Sequence, residues 1–199
     1  DGHLVFTGDN WNAITRSNIA ENEGVLVLFQ PVHGQVGITL TNGDWETSNY
    51  RRWGLDASSG TVWTAIYSYG VRDNSYLSLQ TGRLQLNHWY YLLLRVGENG
   101  TFYTQIWDRD NPSQYVFNIS RRPLPIGGWE NRSWTFDLGG NNSRVLVDSY
   151  EELRFPADYT MPETPPITTS AGVVTTATPQ AVDCWWTEDF TAAPPASAY

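Results

Sequence analysis

Three histidines, one cysteine and 21 acidic side chains are the groups through which this 199-residue chain could do chemistry. Their spacing supports little of it. His3, His33 and His88 stand far apart, with no His-Glu-x-x-His and no other local ligand spacing. They read as surface or turn residues. No Gly-x-Ser-x-Gly elbow is present. Cys184 lies between Asp183 and Trp185. An acidic neighbour disfavours the thiolate, so Cys184 reads as a small buried residue and not as a nucleophile. All 12 cationic side chains are Arg. Without Lys there is no Schiff-base chemistry and no P-loop lysine. No catalytic residue and no metal ligand set is assigned, and the chain is expected not to be an enzyme.

Aromatic residues offer a different chemistry. Ten Trp and eleven Tyr are present. Planar rings stack on the apolar faces of sugars while polar neighbours read the hydroxyls. Trp45, Tyr50, Arg52 and Trp53 lie close together in the segment DWETSNYRRW and form the candidate sugar-binding group. Trp107 to Asp110 and Trp129 to Arg132 are further aromatic-polar clusters. Against each stands the need of a sandwich for aromatic core.

Composition narrows the class. The net charge is −9 and 17% of residues are charged. The chain is too aromatic for general disorder and too acidic for a nucleic-acid binder. No apolar run approaches a membrane span. One cysteine excludes an intrachain disulfide framework. Asp1 follows no initiator Met, and the chain reads as a processed product or a fragment. Four Asn-x-Ser/Thr sequons, at Asn99, Asn118, Asn131 and Asn141, are candidate glycosylation sites. The expected setting is extracellular or the cell surface, after removal of a secretion signal.

The elements that must position these residues read as all-β up to about residue 160. Runs rich in β-branched and aromatic residues recur at 3–7, 25–30, 35–41, 48–54, 61–69, 75–80, 88–96, 101–107, 114–119, 133–138, 144–149 and 151–155. Turn residues separate them, and 88–96 with 101–107 around Glu98-Asn99-Gly100 is the clearest hairpin. Tyr115, Phe117 and Ile119 are expected on one face of their strand. In 88–96 both faces are apolar, which predicts a central strand covered on both sides. Two packed antiparallel sheets follow. Residues 161–181 form an extended Pro/Thr-rich linker by composition. Residues 182–199 then turn aromatic again, with Trp185, Trp186, Phe190 and Tyr199.

The stretch LQLNHWYYLLLRVGENGTFYTQIWDRDNP, Leu84 to Pro112, resembles the concanavalin A-like, laminin-G-like sandwich domains of secreted proteins, as does GGNNSRVLVDSYEELRF, Gly139 to Phe155. The resemblance covers most of 1–160. It implies a jelly-roll, concanavalin A-like fold. Such domains commonly open with an acidic-Asp-Phe strand, here Glu188-Asp189-Phe190. An Asp-Gly-x-Leu-Val strand then follows, here Asp1-Gly2-His3-Leu4-Val5. The expected first strand therefore stands at the C-terminus. Three arrangements explain this order. The tail returns to its own sandwich, crosses to a neighbouring subunit, or belongs with a tandem repeat. Related glucanases set carboxylates alternately on one strand. Asp148-Ser149-Tyr150-Glu151-Glu152 does not match that pattern, which rejects glycoside hydrolysis. The resemblance allows a calcium ion, with Asp9, Asn10, Asp148, Glu188 and Asp189 as oxygen donors, but no cofactor is assigned.

The sequence thus predicts a sandwich over 1–160, a linker over 161–181, and a strand segment over 182–199 that completes a sandwich, its own or a neighbour's. The leading expectation is a non-enzymatic extracellular structural protein. It would form a filament or fibre with itself, head-to-tail, by C-terminal strand donation. Trp185, Trp186, Phe190 and Tyr199 would be the anchors. The alternative is a lectin-like carbohydrate-binding module of a larger secreted or surface protein, with polysaccharide as partner. Neither reading involves nucleic acid or membrane insertion.

Overall fold

The computed structural model describes residues 3–8, 11–12, 19–42, 49–57, 59–68, 71–72, 77–80, 84–121, 135–139, 142–160, 162–165, 167–168, 174–175 and 183–189. The described elements are almost entirely strands. In chain order they are β1 (Leu4–Gly8), β2 (Trp11–Asn12), β3 (Glu23–His33), β4 (Gly37–Asn42), β5 (Asn49–Asp56), β6 (Thr61–Ser68), β7 (Val71–Arg72) and β8 (Leu77–Gln80). Then follow β9 (Tyr90–Val96), β10 (Phe102–Asp108), β11 (Tyr115–Arg121), β12 (Thr135–Gly139), β13 (Ser143–Arg154), β14 (Ile167–Thr168), β15 (Val174–Thr175) and β16 (Asp183–Asp189). A 3-10 turn, Glu98–Gly100, joins β9 to β10. Gly100 has φ of 63° there, a conformation that costs a side-chain-bearing residue.

Two antiparallel sheets form the sandwich. The first has the order β1-β13-β3-β9-β10-β11, with β16 also on β13. The second has the order β2-β12-β4-β5-β6-β7, with β8 also on β6. The two-sheet antiparallel sandwich expected from the sequence is the fold the chain takes. Alternation decides which residues meet between the sheets. Val25, Val27 and Phe29 of β3 and Leu92, Leu94 and Val96 of β9 face Ile38, Leu40, Trp53, Leu55 and Val62 of the second sheet in one core. Trp53 ties the layers together. Its indole stacks on Phe102 of the first sheet at 5.6 Å, and its Nε1 donates to Thr104 Oγ1.

The first sheet is buried on its outer face as well. Leu26, Leu93, Trp107 and Leu153 form a second cluster there with Phe155 and Tyr159. The chain beyond β13 lies over that face as a strap. The doubly apolar run 88–96 is thus a central strand, as its pattern predicted.

Three expectations change. The runs 144–149 and 151–155 are one 12-residue strand, β13. A bulge at Asp148 lies between the pairs Val147↔Phe29 and Ser149↔Leu28, and it interrupts the alternation that separated the two runs. Tyr115 does not share a face with Phe117 and Ile119. The register slips between Ile106↔Phe117 and Trp107↔Tyr115, which turns Tyr115 to the outer cluster. The sandwich does not release the chain at residue 160. Tyr115 Oη donates to the carbonyls of Pro162 and Thr164 at 3.3 Å, and Pro165 is buried.

The tail strand has a definite seat. β3 pairs one side of β13 over Arg144 to Arg154. The other side is divided. β1 pairs Ser143 to Val147, and β16 pairs Ser149 to Arg154. Leu4 faces Val147 and Asp189 faces Ser149, so β16 and β1 run end to end along one edge. In the β16 ladder, Trp186 faces Glu152 and Cys184 faces Leu153, with the bulge at Trp185. Phe190 and Tyr199 lie outside the described residues, as do the side chains of Trp185 and Trp186.

Candidate functional site

The second sheet presents its outward face through the residues that alternate with the core. On β4 these include Thr39 and Thr41, on β5 Arg52 and Gly54, and on β6 Trp63. Thr39, Gly54 and Trp63 are cross-strand neighbours in one row. Trp63 lies across Gly54. A Cβ built on Gly54 would come 2.5 Å from Trp63 Cζ2 and 2.7 Å from Thr39 Cγ2. Only glycine lets the indole lie this close to the sheet. The Arg52 guanidinium stands 5.2 Å from the Trp63 ring centroid, and its Nη2 donates to Thr39 Oγ1 at 3.5 Å. Trp63 itself is half-buried. The arrangement combines a half-buried ring backed by Gly54 with a cation at the ring. Such a set can stack on an apolar ligand face and donate hydrogen bonds at its rim.

The predicted sugar-binding group is divided by this geometry. Arg52 is on the outward face and belongs to the Trp63 site. Trp53 is the next residue and points the other way, 1% exposed in the core. A ring so buried has no face to offer a ligand, which corrects its assignment. Tyr50 stands on β5 opposite Tyr67, and its side chain lies outside the described residues. Trp45 lies outside them altogether. Trp63 escaped the sequence reading, where it was only part of a strand. The available signal was Gly54, a glycine inside a strand pattern, which marks close approach by another group.

A second aromatic-polar cluster sits at one end of the first sheet. Trp107 is fully buried against Tyr91 and Tyr115, so it is removed from this surface. Trp89 occupies the surface instead. His3 lies 5.0 Å and Arg109 5.7 Å from its ring. His3 Nδ1 is 2.8 Å from Asp148 Oδ1, and His88 Nε2 is 2.6 Å from Asp108 Oδ2. Asp108 Oδ1 accepts from the backbone N–H of Asp110 and Asn111 at 2.7 and 3.1 Å, which fixes the loop after β10. Arg109 bonds Asp110 at 2.8 Å. This bond holds the Asp110 carboxyl below its ordinary range and the guanidinium above its own.

Among the described residues, His88, Asp108 and Asp110 bring ligand atoms within 4.8 Å of one another. Their carboxylates are already engaged with Arg109 and with backbone N–H groups, so loop structure accounts for them. The calcium donors that the resemblance allows are other residues. Asp148 pairs with His3, Glu188 and Asp189 lie on β16, and Asp9 and Asn10 lie outside the described residues. Of the sequons, Asn118 is exposed on β11, where its Oδ1 accepts from Gln105 Nε2 at 3.1 Å. Asn99 lies in the turn before β10. Asn131 and Asn141 lie outside the described residues, as does the cluster from Trp129 to Arg132.

No protein-family model matches the chain, and no curated protein matches it. Solved structures give matches of low identity. A galectin of Caenorhabditis elegans is 12% identical, with a TM-score of 0.44, over 72% of this chain and 94% of its own. The carbohydrate binding module CBM66 of Bacillus subtilis is 13% identical, with a TM-score of 0.41, over 72% of this chain and 91% of its own. A β-1,3-glucanase of Mycobacterium marinum is 11% identical, with a TM-score of 0.40, over 73% of this chain and 71% of its own. The fold stands on the two sheets and their register, whatever the weight of these likenesses.

Proposed function

We propose that the chain is a non-enzymatic carbohydrate-binding module of the cell surface or extracellular space, with its sugar site on the outward face of the second sheet. One observation carries the reading: Trp63 lies across Gly54 with the Arg52 guanidinium 5.2 Å from its ring. A pyranose face would stack on the indole, while the Arg52 guanidinium would bond its hydroxyls. Aromatic stacking and a few placed donors are what sugar recognition needs. A glycan array read with the intact protein and with Trp63→Ala tests this. Binding to at least one glycan class that is lost in a folded Trp63→Ala protein supports it. Binding unchanged by the substitution sinks the site, and no binding to any glycan sinks the function.

A second reading, a head-to-tail structural subunit that donates its C-terminal strand, is favoured by a separate observation. β16 and β1 fill one edge of β13 in succession, Asp189 opposite Ser149 and Leu4 opposite Val147. That is the order expected if the last strand supplies what precedes the first. Removing residues 166–199 should leave a sandwich with half of one β13 edge unpaired, which is prone to association or unfolding. A truncated monomer as stable as the full chain would exclude the reading.

A further inference from the structure

The outer face of the first sheet holds polar groups that are covered without being engaged. Arg95 of β9 and Gln105 and Trp107 of β10 alternate with the core residues of their strands and point to that face. They are 4%, 1% and 0% exposed. Arg95 Nε, Gln105 Oε1 and Trp107 Nε1 are each buried with no hydrogen-bond partner. Gln105 spends its amide nitrogen on Asn118 Oδ1 at 3.1 Å, and its oxygen is left over. Gln105 and Trp107 are successive outward positions of one strand. Arg95 is diagonal to Gln105, which pairs with Leu93, and long side chains reach across such a diagonal. A short oligomer can therefore span all three.

Arg95 is the unusual member. A buried guanidinium is normally matched by a carboxylate. Among the described residues none is paired with Arg95. Burial pushes the guanidinium below its ordinary range, and the groups that offset this are the phenols of Tyr103 and Tyr159. Three rings stand where an anion would: Tyr103 at 4.2 Å, and Phe155 and Tyr159 of the strap each at 5.2 Å. Ring faces hold a cation less strongly than a hydrogen-bonded carboxylate does. At the start of the strap, the Phe155 N–H donates to the Asn22 carbonyl at 2.8 Å. Further on, Tyr115 Oη donates to the carbonyls of Pro162 and Thr164. Tyr159 lies between these two attachments. Lifting the strap there uncovers the guanidinium.

We propose that this face is a second binding site, for an acidic saccharide bearing a uronate carboxylate, and that the strap is its displaceable cover. The carboxylate pairs with Arg95 in place of the rings of Phe155 and Tyr159. A sugar hydroxyl donates to Gln105 Oε1, and another sugar oxygen accepts from Trp107 Nε1. Tyr91 and Tyr115 flank Trp107 in one cross-strand row and supply aromatic surface for the apolar ring faces. The net charge of the chain is −9, so the anion is held by these local contacts and not by the overall field. A neutral sugar leaves the guanidinium without an anion and is the weaker ligand. This site is on the opposite sheet from Trp63 and does not depend on sugar binding there.

The test uses the full chain carrying Trp63→Ala, so that the second sheet's site is silent. A trimer of galacturonic acid is compared with a neutral galactan trimer. The Trp107 indole N–H is followed by nuclear magnetic resonance, and amide exchange is read over residues 157–164. The uronate should shift the Trp107 signal saturably and speed exchange in the strap. It should bind about tenfold or more tighter than the neutral trimer, the worth of one charged hydrogen-bonded contact. Arg95→Met keeps an apolar stem under the strap and should abolish that preference. Tyr159→Ala loosens the cover and leaves Arg95, Gln105 and Trp107 in place, so it should tighten uronate binding. Equal affinity for the two trimers, a Trp107 signal unmoved by the uronate, or a preference kept in folded Arg95→Met would overturn the site. Uronate affinity unchanged or weakened in folded Tyr159→Ala would overturn the cover.

Discussion

Trp53 and Trp63 stand on neighbouring strands and face opposite ways, for Trp63 is paired with Gly54, the residue after Trp53. One indole joins the two sheets and the other lies on the surface. Their removal should therefore separate folding from binding. Trp53→Ala leaves a large cavity and loses the bond to Thr104, a destabilisation of about 3–5 kcal/mol. Trp63→Ala should cost less than half of that and keep the native spectrum while sugar binding is lost. Urea unfolding curves and a glycan-binding assay on the two variants check both halves.

Gly54→Ala tests the backing of the ring. The added methyl group would meet Trp63 Cζ2 at 2.5 Å and Thr39 Cγ2 at 2.7 Å. The indole must lift or tilt, because neither atom is the far end of a flexible chain. Overpacking of this kind costs about 1–3 kcal/mol. Sugar affinity should fall by about tenfold or more, equivalent to roughly 1.4 kcal/mol. Isothermal titration with the wild-type ligand measures the loss, and an unchanged affinity would show that the ring's seating does not matter.

The strap should respond to alkali. Burial pushes the phenols of Tyr115 and Tyr159 above the ordinary tyrosine range. Desolvation also lowers the Arg95 guanidinium between Tyr159 and Tyr103. A phenol whose folded pKa is raised contributes stability that is present below the unfolded value of about 10 and lost as pH rises through the folded value. Stability should therefore decline above about pH 10. Absorbance titration should show fewer tyrosines ionising in the folded protein than in urea. Tyr115→Phe removes the donor to Pro162 and Thr164, and should raise amide exchange at 163–164 without changing the global fold.

Glu23 should matter more than its ion-pair partner. Its Oε1 accepts from Arg154 Nε and Nη2 at 3.1 and 2.9 Å, and its Oε2 accepts from the Ala20 N–H at 2.9 Å. The Glu23 side chain is 9% exposed and that of Arg154 60%. Glu23→Ala leaves the Ala20 N–H and the Arg154 cation without their acceptor, a loss of about 1–3 kcal/mol. Arg154→Ala should cost no more than about 1 kcal/mol, as a solvated partner does. Chemical denaturation of both variants gives the comparison.

The sandwich was legible because alternation and turn chemistry are local. Val25, Val27 and Phe29 declare an inward face within five residues. The doubly apolar run from His88 to Val96 announces a strand covered on both sides. What escaped depends on register. The bulge at Asp148 makes one strand look like two, and the slip opposite Trp107 sends Tyr115 to the other face. The candidate site was half legible. Arg52 of the predicted group is on the outward face while Trp53 beside it is core, because a sequence cannot say which of two adjacent residues points outward until strand pairing is fixed. Trp63 becomes notable only when Gly54 is seen beside it. The Arg95 enclosure joins β9 and β10 to the chain beyond β13, and no local pattern foretells it.

The most direct test of the sugar site is a nuclear magnetic resonance titration that follows the indole N–H signals of Trp53, Trp63 and Trp89. Short oligosaccharides of glucan, mannan, xylan and galactan are added in turn. With a binding sugar, the account predicts a saturable shift of the Trp63 signal while that of Trp53 stays in place. A saturable shift at Trp89 with Trp63 unmoved would contradict it, and would place recognition at the end of the first sheet instead.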